Sequence, residues 1–303
     1  MLRWNGVDIT DKVNIVGCTH RDCAGERDVL ELTLDNAAQW YRWAPQEEDS
    51  IEYAQDGYST GTLYLDAVIP QRDRYRVLAA STKRAAARLN NETFQDTTLA
   101  GIMLRCAAAC RMDGRLYGLD GGLNYTYLLK YKEGYAAFLS RVLAMEGGVL
   151  KAYNGILRGI GLSYAQERTP VYGLRITDRQ DGVIYRRRES EKWSAVTVVT
   201  PYAEGRAVDT AAIYGNDMII PGLPAMNNAQ AARWARGLIL HHNRKCEIMT
   251  IRQRLNLKMT ALARVNIDGG TDADGRWIVQ KTEHDFINEM TETTLYRVTE
   301  TVR

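Results

Sequence analysis

Hydrophobic and polar positions alternate along the first third of the chain. Leu30, Leu32 and Leu34 are interleaved with Glu31 and Thr33, and Leu63, Leu65 and Ala67 with Tyr64 and Asp66. This is the period-2 pattern of strands buried on one face. Asp56-Gly57 and Gly61 supply turn chemistry between such runs. Several short strands with turn signals predict a small barrel or sandwich over 1–84.

The period then changes. After Asp96, Thr97 and Thr98, residue types suited to capping, Leu99, Ile102, Met103, Cys106, Ala107 and Cys110 fall on one face of an α-helix, with Asp113-Gly114 expected to end it. Tyr135, Phe138, Leu139, Val142 and Leu143 make a second helical stripe, stopped by Gly147-Gly148. Strand-like pieces, Arg115–Leu119 and Leu150–Ile160, lie between and after them, so 85–165 reads as a compact α/β unit. From there the β signal returns. Tyr172–Thr177 and Val183–Arg188 flank Asp178–Gly182, which predicts a hairpin closed by Asp181-Gly182. Val196, Val198 and Thr200 continue the pattern. A helix capped by Asn227 or Asn228 carries Ala231, Ala235, Leu238 and His242 on one line. Arg252–Leu257, Trp277–Lys281 and Thr293–Val302 read as the last strands, with the Gly- and Asp-rich loop Asp268–Gly275 before the second of them. The expected class is therefore α+β, mainly β: a β region at 1–84, an inserted α/β domain at 85–165, and a second β region with one amphipathic helix at 166–303.

Composition narrows the function classes. A length of 303 residues fits two or three domains. With 39 Lys+Arg against 37 Asp+Glu, the formal charge is +2, which argues against a basic nucleic-acid arm or an acidic tail. Hydrophobic residues at 45% and charged residues at 25% are ordinary globular usage and argue against disorder. No uncharged apolar run approaches the ~18 residues a membrane span needs. Met1-Leu-Arg-Trp-Asn-Gly6 has no apolar stretch of the secretory kind. Six prolines and no Ser/Gly/Pro tract predict domains packed together rather than strung on linkers.

Candidate chemical groups mostly have plainer readings. Five cysteines without repeating spacing speak against a disulfide framework. Cys106 and Cys110 share a helix face, but it is the apolar stripe, where a free thiol acts as a small hydrophobe. Cys18, His20 and Cys23 have no adjacent fourth ligand for structural zinc, so a strand-loop segment with incidental cysteines is the expectation. His241-His242, beside Asn243, Arg244 and Lys245, suit the negative end of a helix dipole. Glu283 and Asp285 would point to the strand face opposite His284 and form no dyad with it. Gly159 and Gly161 are too few for a phosphate loop, and no nucleophile-elbow, zincin or P-loop motif occurs. Arg186-Arg187-Arg188 is followed at once by Glu189 and Glu191, the mark of a solvated face. No catalytic, cofactor-binding or metal-ligating residue is expected, and no cofactor.

The segment Leu128–Gly148 followed by Val149–Leu157 resembles the hub segment of contractile injection machines, with Phe138, Leu139, Arg141, Leu143, Glu146 and Gly147 on its motif. The family is the late control gene D protein of tailed phages, related to the amino-terminal part of the valine-glycine-repeat spike proteins of type VI secretion. Glu92–Ala109, the Ala-rich helix Ala229–Leu240, Asn243-Arg244, Asp274–Val279 and His284 resemble other parts of the family in colinear order. Gly134-Tyr135 departs from the polar or acidic start usual in the helix motif. The resemblance implies two tail-tube-like β-barrels with the α/β domain between them. It further implies a homotrimeric baseplate hub that adapts the six-fold tail tube to the three-fold central spike. Implied partners are the spike as a separate polypeptide, tube subunits, the tape-measure end and baseplate wedge proteins, without nucleic-acid specificity or membrane anchor. The implied location is a virion or tail-like particle assembled in the bacterial cytoplasm. The rivals are a tail-associated cell-wall hydrolase, marked by paired carboxylates in a groove, and a distal-tail adaptor of a non-contractile tail. Seventeen tyrosines against three phenylalanines fit partly wet contact surfaces.

Overall fold

The computed structural model describes residues 1–35, 44–177, 181–299 and 301–302. The first region contains β1 (Leu2–Trp4), β2 (Val7–Asp8), β3 (Ile15–Cys23), β4 (Val29–Asp35), β5 (Ser50–Gln55), β6 (Tyr58–Ser59), β7 (Leu63–Pro70) and β8 (Arg74–Ala80). The middle contains β9 (Asn90–Thr98), α1 (Leu99–Ala109), β10 (Asp113–Tyr117), β11 (Asn124–Glu133), α2 (Tyr135–Met145), β12 (Gly148–Tyr153), β13 (Ile156–Gly161) and α3 (Leu162–Glu167). Then follow β14 (Tyr172–Arg175), β15 (Val183–Arg187), β16 (Trp193–Val199), β17 (Glu204–Val208), β18 (Asn216–Pro221), α4 (Asn228–Asn243), β19 (Glu247–Arg254), β20 (Arg264–Asp268), β21 (Gly275–Asp285) and β22 (Met290–Arg297).

The fold is α+β and mainly β, with several sheets, none of them closed into a barrel among the described residues. The two β regions run together instead. Their strands form one sheet in the order β15-β19-β22-β21-β3-β4-β8-β7-β5-β1-β2, with β6 beside β5, β20 beside β21 and β14 beside β20. The strand β21 makes the join. Its first half pairs with β20 (Val265 opposite Trp277) and its second half with β3 (His284 opposite His20), while β22 lines its other side.

Periodicity explains most elements. Leu30, Leu32 and Leu34 on β4 are wholly buried, and so is Leu63 on β7. Ala67 falls off the pattern because a bulge between Leu65 and Ala67 shifts the register against β8. The α1 stripe is buried from Leu99 to Cys110, and the Thr98 hydroxyl accepts from the Gly101 amide at 3.1 Å. This helix ends at Ala109, before Asp113-Gly114, which open β10. Asn227 caps α4 by accepting from the Gln230 amide at 2.9 Å. The buried face of α4 is centred on Trp234 and Ile239 as well as Ala231 and Ala235, and Leu238 sits at its margin.

Two expectations change. The hairpin across 178–182 does not form: β14 pairs in parallel with β20, and β15 antiparallel with β19. Residues 178–180 of the expected turn lie outside the described residues. The helix α4 and the sheet β17-β16-β18 share one core with the middle unit, in which Phe94, Phe138, Leu143, Val196, Trp234 and Ile239 pack together. Separate cores fill the two β regions, around Leu30, Leu32 and Val77 in the first and Met249, Trp277 and Leu295 in the second.

Phe138 is wholly buried and stacks on Phe94 with ring centres 4.9 Å apart. Phe138→Ala is therefore expected to cost about 3–5 kcal/mol, read as a lower denaturation midpoint. A midpoint equal to that of the parent protein would show that the stripe is not the core face.

Candidate functional site

Polar residues converge where the three parts of the chain meet. Along β3 side chains alternate, so Cys18, His20 and Asp22 share one face while Cys23 lies on the other. Cys18, His20 and Cys23 therefore form no common site, and the segment is a core strand rather than a strand-loop. On the opposing element, Lys151 lies inside the apolar run Val149–Tyr153 of β12 and is buried. Its ammonium bonds Asp28 through both carboxylate oxygens at 2.6 Å and also donates to Asp22. Backbone groups complete the set. Ala261 N–H donates to Asp22 at 2.8 Å, Cys23 N–H to Asp28 at 2.9 Å, and Gly25 N–H to the Leu150 carbonyl at 2.9 Å. The first region, the middle unit and the 255–263 loop are thus tied through one ammonium.

Burial is the largest influence on all three groups. It pushes Asp28 up to about 7, because Lys151 is shared with a second carboxylate. It pushes Asp22 in the same direction, but the Lys151 charge, His20 and the hydrogen bonds from Lys151 and the Ala261 amide together outweigh it and leave Asp22 below its ordinary value. Burial opposes the Lys151 charge too, yet the two carboxylates prevail and raise it. Beside them, His20 and His284 face each other across β3 and β21. Burial lowers His284 and holds His20 down to about 3, so His20 is neutral near neutral pH. His284 donates from Nε2 to the Met259 carbonyl (3.1 Å) and accepts at Nδ1 from the Thr291 hydroxyl (2.9 Å). Its sequence neighbours point elsewhere: Glu283 pairs with Arg21 at 3.0 Å and Asp285 accepts from Asn288.

A second polar node uses the motif residue Glu146, whose side chain is 1% exposed. It accepts from Arg233 Nε (2.7 Å), Trp234 Nε1 (2.7 Å) and the Tyr125 hydroxyl (2.7 Å), and so joins the end of α2 to β11 and α4. Arg141, off the stripe, donates to the Leu129 carbonyl and to Glu133. Gly134 precedes α2 where a Cβ would stand 2.6 Å from the Ala86 carbonyl oxygen, which explains why no polar capping side chain occupies it.

Other candidates resolve physically. All five cysteines are free and buried, and burial pushes Cys18, Cys23 and Cys106 up to about 12 and Cys110 to about 11. Among the described residues no three His, Cys, Asp or Glu side chains are grouped to hold a metal ion. The dipole account of His241 fails. Burial lowers it to about 3, and its Nε2–H donates to the Gly148 carbonyl at 2.7 Å, so it is a neutral packing residue. His242 stacks flat on Trp193 with centres 3.8 Å apart. Gly159 and Gly161 sit in β13, where a Cβ would strike Leu116 and the Gly118 carbonyl. Arg187 and Arg188 pair with Glu189 and Glu191.

The fold matches known proteins in shape. No family model and no curated protein sequence matches the chain. Among solved structures, it is similar to the 43 kDa tail protein of prophage MuSo2 from Shewanella oneidensis. That match has a TM-score of 0.70 and 12% identity, and it covers 98% of this chain and 97% of that one. A tail protein from Neisseria meningitidis matches with a TM-score of 0.73 and 11% identity over 98% and 95%. An Escherichia coli component of the type VI secretion system, with structural similarity to T4 bacteriophage tail proteins, matches with a TM-score of 0.58 and 14% identity over 99% and 77%. The chain thus has the fold of phage tail and type VI secretion proteins.

Removing Lys151 leaves two buried carboxylates facing each other. Lys151→Met is expected to cost about 3–5 kcal/mol, whereas Asp28→Asn keeps an acceptor for the Cys23 amide and is expected to be mild. Equal losses in denaturant titrations would refute this asymmetry. A pH dependence follows as well. Asp28, raised from 3.8 to about 7, contributes stability that is fully present below its unfolded value and lost as pH rises through about 7. His20 and His241, lowered from 6.5 to about 3, contribute stability present above 6.5 and lost as pH falls. Between about pH 4 and 7 Asp28 therefore opposes the two histidines, so Asp28→Asn is expected to steepen the rise of melting temperature with pH over that window and to run parallel to the parent above about 7; curves parallel throughout contradict the assignment.

Proposed function

We propose that this protein is the baseplate hub of a contractile tail or tail-derived particle. Each of its two β regions acts as a tube-like unit, and three chains close a ring that presents six such units to the tail tube and holds a three-fold spike below. The observation that carries the reading is the strand β21, which fuses two β regions of one chain into one continuous sheet around an α/β unit. Similarity to tail proteins over nearly the whole chain supports it. The spike, tube subunits, the tape-measure end and wedge proteins are the partners, within a virion or tail-like particle.

Exposed apolar side chains also support an assembly role. Tyr127, Leu129 and Tyr131 alternate along one exposed side of β11 at 38%, 40% and 57% exposure. Ile213, Tyr214 and Ile219 crowd the approach to and length of β18 at 75%, 73% and 69%. Head-to-tail closure of a ring requires two different faces of this kind on each chain. The hydrolase alternative needs two carboxylates free to face a groove. Asp22 and Asp28 do line a cleft, but both grip Lys151, which favours the structural, non-enzymatic reading.

Mass photometry of the protein mixed with the spike encoded beside it is expected to show the mass of three chains per spike trimer. Leu129→Glu and Ile213→Glu, at exposed positions, are each expected to reduce that population at least about tenfold with the melting temperature unchanged. A protein that stays monomeric with its spike overturns the hub reading, and undiminished trimer in both variants overturns the assignment of faces.

A further inference from the structure

We propose that the cleft at the meeting point of the three parts of the chain binds a carboxylate presented by a partner polypeptide, either an acidic side chain or a free C-terminus. The cleft is about 520 Å³ and is lined from three sides: His20 and Tyr58 from the first region, Lys151 and Arg158 from the middle unit, and Lys258 and Leu262 from the loop before β20.

Its floor holds a donor without an acceptor. His20 is 2% exposed, with Nδ1 2.7 Å from the Tyr58 hydroxyl. The buried Tyr58 hydroxyl has no other hydrogen-bond partner among the described residues, so its hydrogen is best placed on His20 Nδ1. That fixes the neutral tautomer with the ring hydrogen on Nε2, and Nε2 is buried without a partner. A buried donor left unpaired costs free energy, so the cleft is built to receive an acceptor atom.

The walls supply positive charge. Arg158, Arg168 and Lys258 line the cleft and have no carboxylate partner among the described residues, and Arg158 Nε is also buried and unpaired. The Arg158 guanidinium lies over the Tyr153 ring at 5.1 Å, which holds it in place. The acidic residues present do not cancel this charge: Asp22 and Asp28 are engaged by Lys151, and Asp56 is exposed at the rim. Ile160, Leu257 and Leu262 add apolar wall, which suits a chain segment carrying a carboxylate better than a bare inorganic anion. The choice of a polypeptide as the source rests on the assembly reading above; the anion-accepting chemistry does not.

Four histidines make the test direct. The intact protein is labelled with ¹⁵N in histidine only, and the His20 ring signals are assigned by their loss in His20→Asn. The probes are an acetylated Ala-Leu-Glu-Leu-Glu peptide with a free C-terminus, its Gln-substituted C-terminal amide, and inorganic phosphate. The acidic peptide is expected to shift His20 Nε2 saturably and the amide to leave it unmoved. Arg158→Gln and, separately, Arg168→Gln at an exposed side chain are each expected to weaken binding about tenfold. No saturable shift with the acidic peptide overturns the proposal and leaves ordered water as the partner of Nε2. An equal shift with phosphate at the same concentration overturns the polypeptide assignment in favour of a small-anion site. Neither outcome bears on trimer formation, which is measured separately.

Discussion

A single buried ammonium governs how the three parts of this chain sit together. Lys151 belongs to the middle unit, Asp22 and Asp28 to the first β region, and the Ala261 amide that completes Asp22 to the loop leading into β20. Moving any one part away would strand charge in a water-poor interior, at a cost far above that of losing an exposed ion pair. Such a cluster adds little net stability compared with a well-packed apolar core, but it permits one arrangement and penalises the rest. The backbone around it depends on the same geometry, since Ala24 and Gly25 hydrogen-bond to β21 and β12 respectively.

The joining strand and the second polar node extend this constraint across the molecule. The strand β21 carries the core residues Trp277 and Val279 at one end and His284 at the other. Each β region therefore lends the other a border strand. Glu146 does the equivalent work between α2, β11 and α4, collecting three kinds of donor on one buried carboxylate. A body tied at both places presents its exposed β11 and β18 faces at fixed separation. The proposed adaptor role, matching two partners of different symmetry, would require that property.

Much of this was legible in the sequence where the physics is local. The helices α1 and α2 follow from one apolar stripe each, and β4 from strict alternation, because periodicity reports burial of a single face. The hairpin expectation at 172–188 failed because turn chemistry is local while strand pairing is not: β14 found β20 almost a hundred residues away. The ion cluster was missed for the same reason, since Lys151 lies 129 and 123 residues from its partners. A signal did exist, in a lone lysine within an apolar strand and in Asp22 on the buried face of β3. His241 was misread because its position at a helix end suggested charge, whereas burial keeps it neutral. The family resemblance picked out Glu146, but only its three-dimensional partners explain why that position holds a carboxylate.

Hydrogen exchange on the intact protein tests most directly whether one cluster holds the three parts as a single body. The account predicts that amides of Ile15–Cys23, Gly148–Tyr153 and Gly275–Asp285 open together with a common free energy, and that Lys151→Met lowers protection in all three. Loss of protection confined to Gly148–Tyr153 would contradict it.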